Sequence, residues 1–268
     1  MHLHMNTPPA PAPLVQVDAA SLTGRPLRYY DFALAAFVTI LLLSNLIGAA
    51  KLSIVHGFVF GAGILFFPIG YVLGDVLTEV YGYARARRCV WAGFFAMLFM
   101  AVMSATVVAM PPFAQWGCAA SENASFAAMV KASGPGAICQ ATYESVFGST
   151  WRIVGASVTA FWAGEFVNSY VLARMKVWTG GKALWSRTIG STIFGEGVDS
   201  LIFYPLAFLG VWSTSQVVTV LITNWALKVS WEVVLTPVTY VVVGWLKRRE
   251  GLDVFDENTN FSPFKTAI

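Results

Sequence analysis

Seven ionisable side chains interrupt otherwise apolar stretches of the sequence: Asp75, Glu79, Glu165, Glu196, Asp199, Lys228 and Glu232. A carboxylate accepts hydrogen bonds through two oxygens, so it can grip a planar edge that carries adjacent N–H groups. It can also load and release a proton when burial opposes its charge. In a bilayer each such group costs about 2.5–3.5 kcal/mol on insertion scales, so the set must face one another, a cavity or a ligand. Structural ion pairs are the competing reading, with Lys228 and Glu232 one turn apart as an obvious pair. That reading does not cover the whole set, because six acids face one lysine.

Spacing groups these residues into stripes. Thr192, Glu196, Asp199 and Phe203 share one helix face, as do Phe161, Glu165 and Asn168. Tyr71, Asp75 and Glu79 form a third stripe, and Asn224 and Lys228 a fourth, with Trp231 beside Glu232. Asn45, in the first apolar stretch, joins the candidates. Four inward-facing stripes would enclose a polar pocket with aromatic walls. The segment Gly164–Ser169 also echoes Gly195–Ser200 as G-E-x-V-[ND]-S at a spacing of 31 residues, with Gly74–Glu79 a looser third copy. Inverted repeats around a midplane site are common in secondary transporters, and a glycine before each acid would let a neighbouring helix approach closely.

Several chemistries lack their residues. The chain has no phosphate-binding glycine loop, no Cys-X-X-Cys and no His-Glu-X-X-His; its histidines are His2, His4 and His56, away from the stripes. An intramembrane aspartyl protease could pair Asp75 with Asp199, but its G-x-G-D element is replaced by Val72-Leu73-Gly74-Asp75. No enzymatic activity, cofactor or metal is expected.

The elements that carry the stripes follow from composition. Of 268 residues 57% are hydrophobic and 12% charged, with mean hydropathy +0.65, whereas soluble domains carry about 25% charged residues. An ordinary soluble enzyme is excluded, and a net charge of +3 gives no case for nucleic acid as a partner. The expected fold is an all-α polytopic membrane protein with the lipid bilayer as its solvent. Six transmembrane helices are predicted at 30–50, 54–79, 88–110, 152–174, 189–211 and 216–246, each able to cross about 30 Å of hydrocarbon. The last is long enough to tilt or to extend past the membrane. Residues 1–26 read as a disordered tail without a signal peptide, 27–250 as the transmembrane domain, and 251–268 as a C-terminal tail.

With the N-terminus inside, thirteen basic residues fall on the cytoplasmic side and three (Lys51, Lys131 and Arg152) outside. This positive-inside bias predicts two cytoplasmic termini. The outer side then carries a loop at 111–151 holding Cys118 and Cys139, which read equally as a disulfide in an oxidising space or as two unpaired thiols.

Phe67-Pro68-Ile69-Gly70-Tyr71-Val72-Leu73-Gly74-Asp75-Val76-Leu77-Thr78-Glu79-Val80-Tyr81-Gly82-Tyr83 resembles the signature of the queuosine precursor transporters, also called the vitamin uptake transporter family. Ser191-Thr192, Glu196, Asp199-Ser200 and Ile202-Phe203 resemble its second signature, and Lys228, Glu232, Thr236-Pro237 and Tyr240 its sixth-span pattern. The resemblance runs from about residue 30 to 250. Two departures stand out: the family commonly has glutamine at Glu165 and Glu196, and aspartate at Asn168.

The resemblance implies a six-helix importer in a bacterial inner membrane. Its substrates would be 7-cyano-7-deazaguanine and 7-aminomethyl-7-deazaguanine, and its fold similar to the substrate-binding subunits of energy-coupling-factor transporters. On this reading Glu196 and Asp199 grip the base, with Asp75, Glu79, Glu165 and Asn168 beside them. Tyr71, Phe203 and Trp231 supply aromatic faces, and Lys228 either neutralises Glu232 in the empty state or meets the ligand's cyano or carbonyl group. The alternative is a substrate-binding subunit of an ATP-driven vitamin or nucleobase uptake complex. Gly48-Ala49-Ala50 and Gly61-Ala62-Gly63 would serve docking there, and serve equally for packing or a homodimer.

Overall fold

The computed structural model describes residues 15–18, 26–47, 52–55, 58–61, 65–111, 140–148 and 151–265. The chain is mostly helical: α1 (Tyr30–Leu46), α2 (Phe67–Tyr81), α3 (Tyr83–Ala109), α4 (Gln140–Phe147), α5 (Trp151–Trp178), α6 (Leu184–Phe208) and α7 (Thr214–Glu250). Four short strands accompany them: β1 (Val15–Asp18), β2 (Leu52–Val55), β3 (Phe58–Gly61) and β4 (Leu252–Phe255). Cys118, Cys139 and most of the 111–151 loop lie outside the described residues, as do Gly48-Ala49-Ala50.

Helix ends are fixed by local chemistry. Pro68 stands in the first turn of α2, where its missing N–H costs nothing. The helix ends at Gly82, whose φ of 83° favours glycine, and α3 starts at once with the Tyr83 N–H donated to both Asp256 oxygens at 3.0 and 3.2 Å. A capping box of Ser213 and Gln216 opens α7, and Lys247, Arg248 and Arg249 in its last turn complement the helix dipole. Glu250, the last residue of α7, accepts the N–H groups of Arg28 and Tyr29 at 3.0 and 2.8 Å and so caps the start of α1.

Three expectations are corrected. The predicted span 54–79 is not one helix: β2 and β3 pair as an antiparallel hairpin, and α2 begins only at Phe67. A β-branched and aromatic run such as Ile54-Val55 and Phe58-Val59-Phe60 reads as apolar in either conformation, so hydropathy alone does not choose. Within the 1–26 segment, expected as a disordered tail, Val15–Asp18 forms a strand that pairs in parallel with Leu252–Phe255. Nor is the C-terminus a free tail. Arg87 donates to the carbonyls of Asn260 and Ser262 at 2.9 and 2.8 Å, and Trp91 to that of Pro263 at 2.8 Å.

The distribution of polarity is inverted relative to a soluble protein. Phe99, Val234 and Val241 are 68%, 62% and 70% exposed, while Glu79, Lys176 and Arg187 are at most 1% exposed. Large apolar side chains on the outside and paired charges within suit hydrocarbon as the surrounding solvent. Among the described residues α3 and α7 are long and apolar enough to cross a membrane by length and composition.

Candidate functional site

The start of α3, the end of α5, the start of α6 and the end of α7 meet at one end of the molecule, together with β4 and most of the described basic residues. The opposite ends of the same helices surround a cavity of 1130 Å3. Its inner part is polar and aromatic, while Met100, Val108, Phe147 and Phe208 line an apolar vestibule farther out. Ligand sites commonly occupy about 300–1,000 Å3, and the vestibule accounts for the larger size here.

Lys228 organises the polar floor. Its ammonium on α7 donates to Glu196 Oε2 at 2.6 Å and to Asp199 Oδ2 at 2.7 Å, both on α6. Glu165 of α5 lines the same floor, so three acids surround one lysine and the inner cavity carries a surplus of acceptors. Tyr71, Phe203 and Trp231 stand around it, with Asn45 at a farther point of the wall. The Ser157 hydroxyl donates to Asn45 Oδ1 at 3.3 Å.

The α5–α6 crossing holds these groups in place. A Cβ on Gly164 would lie 2.9 Å from Asp199 Cβ and 3.0 Å from the Gly195 carbonyl. One on Gly195 would lie 2.6 Å from Asn168 Cβ and 3.0 Å from the Gly164 carbonyl. Gly164 against Asp199 and Gly195 against Asn168 is the same contact made twice, as an exchange of the two G-E-x-V-[ND]-S copies requires. The echo in the sequence is therefore a close crossing of antiparallel helices that brings Glu165, Glu196 and Asp199 to one place.

Four expected site residues do not line the cavity. Asp75 and Asn168 lie behind it, joined by a hydrogen bond from Asn168 Nδ2 to Asp75 Oδ1 at 3.1 Å. Glu232 is fully buried and makes no pair with Lys228, whose ammonium is taken by the two α6 carboxylates. Glu79 belongs to the basic end. Its Oε1 meets Lys247 at 2.7 Å, Arg187 at 2.8 Å and Lys176 at 3.4 Å, and both lysines also reach Asp253 Oδ1 at 2.7 Å. Burial pushes the Asp253 carboxyl up, but Lys176 and Lys247 outweigh it and hold the group below its ordinary value. Burial likewise opposes the charge on Lys247, and Glu79 and Asp253 outweigh it and raise that ammonium.

Sequence reasoning missed Tyr204 and Phe37 in the cavity wall. Tyr204 follows Phe203 directly, so a strict one-face reading of α6 passes over it. Trp162, beside Phe161, packs against Trp91, Phe166 and Phe264.

Helices with apolar outer faces and a charged cavity between them define a membrane-embedded protein. The chain belongs to the family described as "putative vitamin uptake transporter", whose model matches residues 61–242. A relative from Bacillus subtilis (strain 168), named "probable queuosine precursor transporter", is 28% identical over 167 residues, or 62% of this chain. The match spans 64% of that relative's length. No solved structure matches the chain.

Proposed function

We propose that this protein imports 7-deazaguanine precursors of queuosine across a bacterial inner membrane, by secondary or facilitated transport. One observation carries the reading: a carboxylate pair, Glu196 and Asp199, held by Lys228 at the floor of a cavity walled by Tyr71, Phe203 and Trp231. The amino-pyrimidine edge of a deazaguanine offers adjacent N–H donors, and Asp199 engages Lys228 through Oδ2, which leaves its second oxygen for such an edge. Flat heterocycles stack on aromatic faces. The surplus of acids over Lys228 also suits the ammonium of an aminomethyl substituent. The name of the Bacillus subtilis relative supports the same ligand class.

The proposal includes six spans, arranged as in the substrate-binding subunits of energy-coupling-factor transporters, with both termini cytoplasmic. The described basic residues support that orientation, since Arg85, Arg87, Lys176, Arg187 and Lys247 to Arg249 lie at the end opposite the cavity. The cavity then opens outward, towards incoming substrate.

The test is uptake of labelled precursor in cells that cannot synthesise queuosine. A hydrogen bond to a charged group is worth about 1.5–3 kcal/mol, so Glu196→Ala and Asp199→Ala should each weaken uptake about tenfold or more at limiting substrate. Wild-type uptake by both variants would sink the assignment.

A further inference from the structure

A second polar layer lies one helical turn deeper than the cavity floor. Asp75 follows Tyr71 by four residues, Glu232 follows Lys228 by four, and Asn168 follows Glu165 by three. Asp75 is 1% exposed and Glu232 0%. Asp75 Oδ2, both oxygens of Glu232 and Asn168 Oδ1 are buried with no hydrogen-bond partner among the described residues. Asp75 on α2 and Glu232 on α7 share this layer, and the two helices pack against each other.

We propose that Asp75 and Glu232 form a proton-binding site, distinct from the cavity, through which proton movement is coupled to transport. The inference rests on the transport reading above for its purpose, and on the orphaned oxygens for its existence. Two carboxyls in one buried layer, with three of their four oxygens lacking a donor, are not both ionised; a proton on either removes a charge and supplies a donor. Among the described residues the cations nearest the layer are engaged elsewhere. Lys228 is held by Glu196 and Asp199, and Lys176, Arg187 and Lys247 by Glu79. The other charged groups acting most on the two are acids as well: Glu165 from α5, Glu196 from α6 and Glu79 on α2 itself. Hard metal cations such as Ca2+ take about six to eight oxygens, more than the four unpartnered atoms supply.

The layer is also mechanically tied to the cavity. Asn168 holds Asp75 through its amide and presses its Cβ against Gly195, the residue before Glu196. Protonation of the pair therefore reaches the substrate carboxylates through one side chain. The proton enters from the cavity side, rests on the Asp75–Glu232 pair and leaves at the basic end as the substrate is released.

Two measurements test this. Infrared spectra of purified protein at neutral pH should show the carbonyl stretch of a protonated buried carboxylic acid. The band should weaken in both Asp75→Asn and Glu232→Gln. Its absence, or its persistence in both variants, overturns the site whatever the substrate is. In proteoliposomes loaded with buffer one pH unit more alkaline than outside, wild-type protein should accumulate labelled precursor about tenfold, the ratio for one proton per substrate. The ratio should fall to about one in Glu232→Gln or when a protonophore is added. Accumulation that ignores the pH gradient, or follows a sodium gradient instead, overturns the coupling. Exchange of labelled for unlabelled precursor by the wild type, with no gradient, separates the two proposals. Without exchange the substrate assignment fails, and the infrared result still decides the proton site.

Discussion

Gly195→Ala tests whether the α5–α6 crossing sets the site. The added Cβ would sit 2.6 Å from Asn168 Cβ and 3.0 Å from the Gly164 carbonyl oxygen. Carbon atoms in contact prefer about 3.5–4.0 Å, so the helices must part by about 1 Å. Neither obstacle can swing away, because a Cβ and a carbonyl move only with their backbone. Overpacking of this kind costs about 1–3 kcal/mol, and here the strain is relieved by moving Glu196 and Asp199 away from Glu165. If half of that is lost from binding, precursor affinity falls by a factor of about 2–13. Gly155→Ala, on α5 with nothing within 4 Å of the new atom, is the matched control and should gain about 0.5–1 kcal/mol of helix stability. Binding by calorimetry and thermal unfolding of the two purified variants make the comparison. If Gly195→Ala binds and unfolds like Gly155→Ala, the close crossing does not position the carboxylates and the reasoning is wrong.

Lys228→Met should lower stability by about 3–5 kcal/mol, near the low end because the three side chains keep 12–21% exposure, and thermal unfolding should show partial recovery when Glu196→Gln and Asp199→Asn are added. Glu79→Gln leaves Arg187 without its carboxylate, and Lys176 and Lys247 with Asp253 alone, and should cost about 3–5 kcal/mol in unfolding, while the Kd for precursor moves far less, because Glu79 is outside the cavity. The Asp253 link depends on pH with a defined sign. Its folded value lies below the ordinary 3.8, so its contribution is complete above that value and is lost as pH falls through the folded one. Lys247, raised above 10.5, contributes fully below that value and fades only as pH climbs past its folded one. Asp253→Asn should therefore flatten the acid limb of a stability–pH curve and leave the neutral plateau lower.

What the sequence disclosed follows from the range of the forces involved. The stripe of Glu196, Asp199 and Phe203 is a local pattern on one helix, and local periodicity survives folding. The G-E-x-V-[ND]-S echo was legible for a related reason: a close crossing demands a small residue on both helices at matched positions. Charge partners were not legible. Lys228 has Glu232 one turn away, yet it turns to two carboxylates on α6, 29 and 32 residues distant in sequence. Glu79 looked like the tail of the α2 stripe, but its cations come from residues 97, 108 and 168 positions later. No spacing rule relates such distant residues, and one more turn of helix carried Glu79 out of the binding layer into the basic end. The β2–β3 hairpin was hidden because a run of apolar residues carries no period to mark it as strand.

Alternating access would require the two ends of the molecule to exchange roles, and the interactions are disposed for it. The basic end is closed by polar bonds: Glu79 and Asp253 bridge Lys176, Arg187 and Lys247, tying α2, α5, α6 and α7 to β4. Such bonds can part when water enters, since hydration replaces what each ion loses. The α5–α6 crossing is closed by backbone contact at Gly164 and Gly195, which water cannot replace, so it suits a fulcrum on which the helices rock. Asp75 and Glu232 lie between these two points, each one turn beyond the cavity floor, with Glu79 one further turn along α2 from Asp75. A proton arriving there changes the charge of the layer that the fulcrum and the closed end share. That position, more than the acidity of the pair, is what would let one proton favour opening towards the cytoplasm.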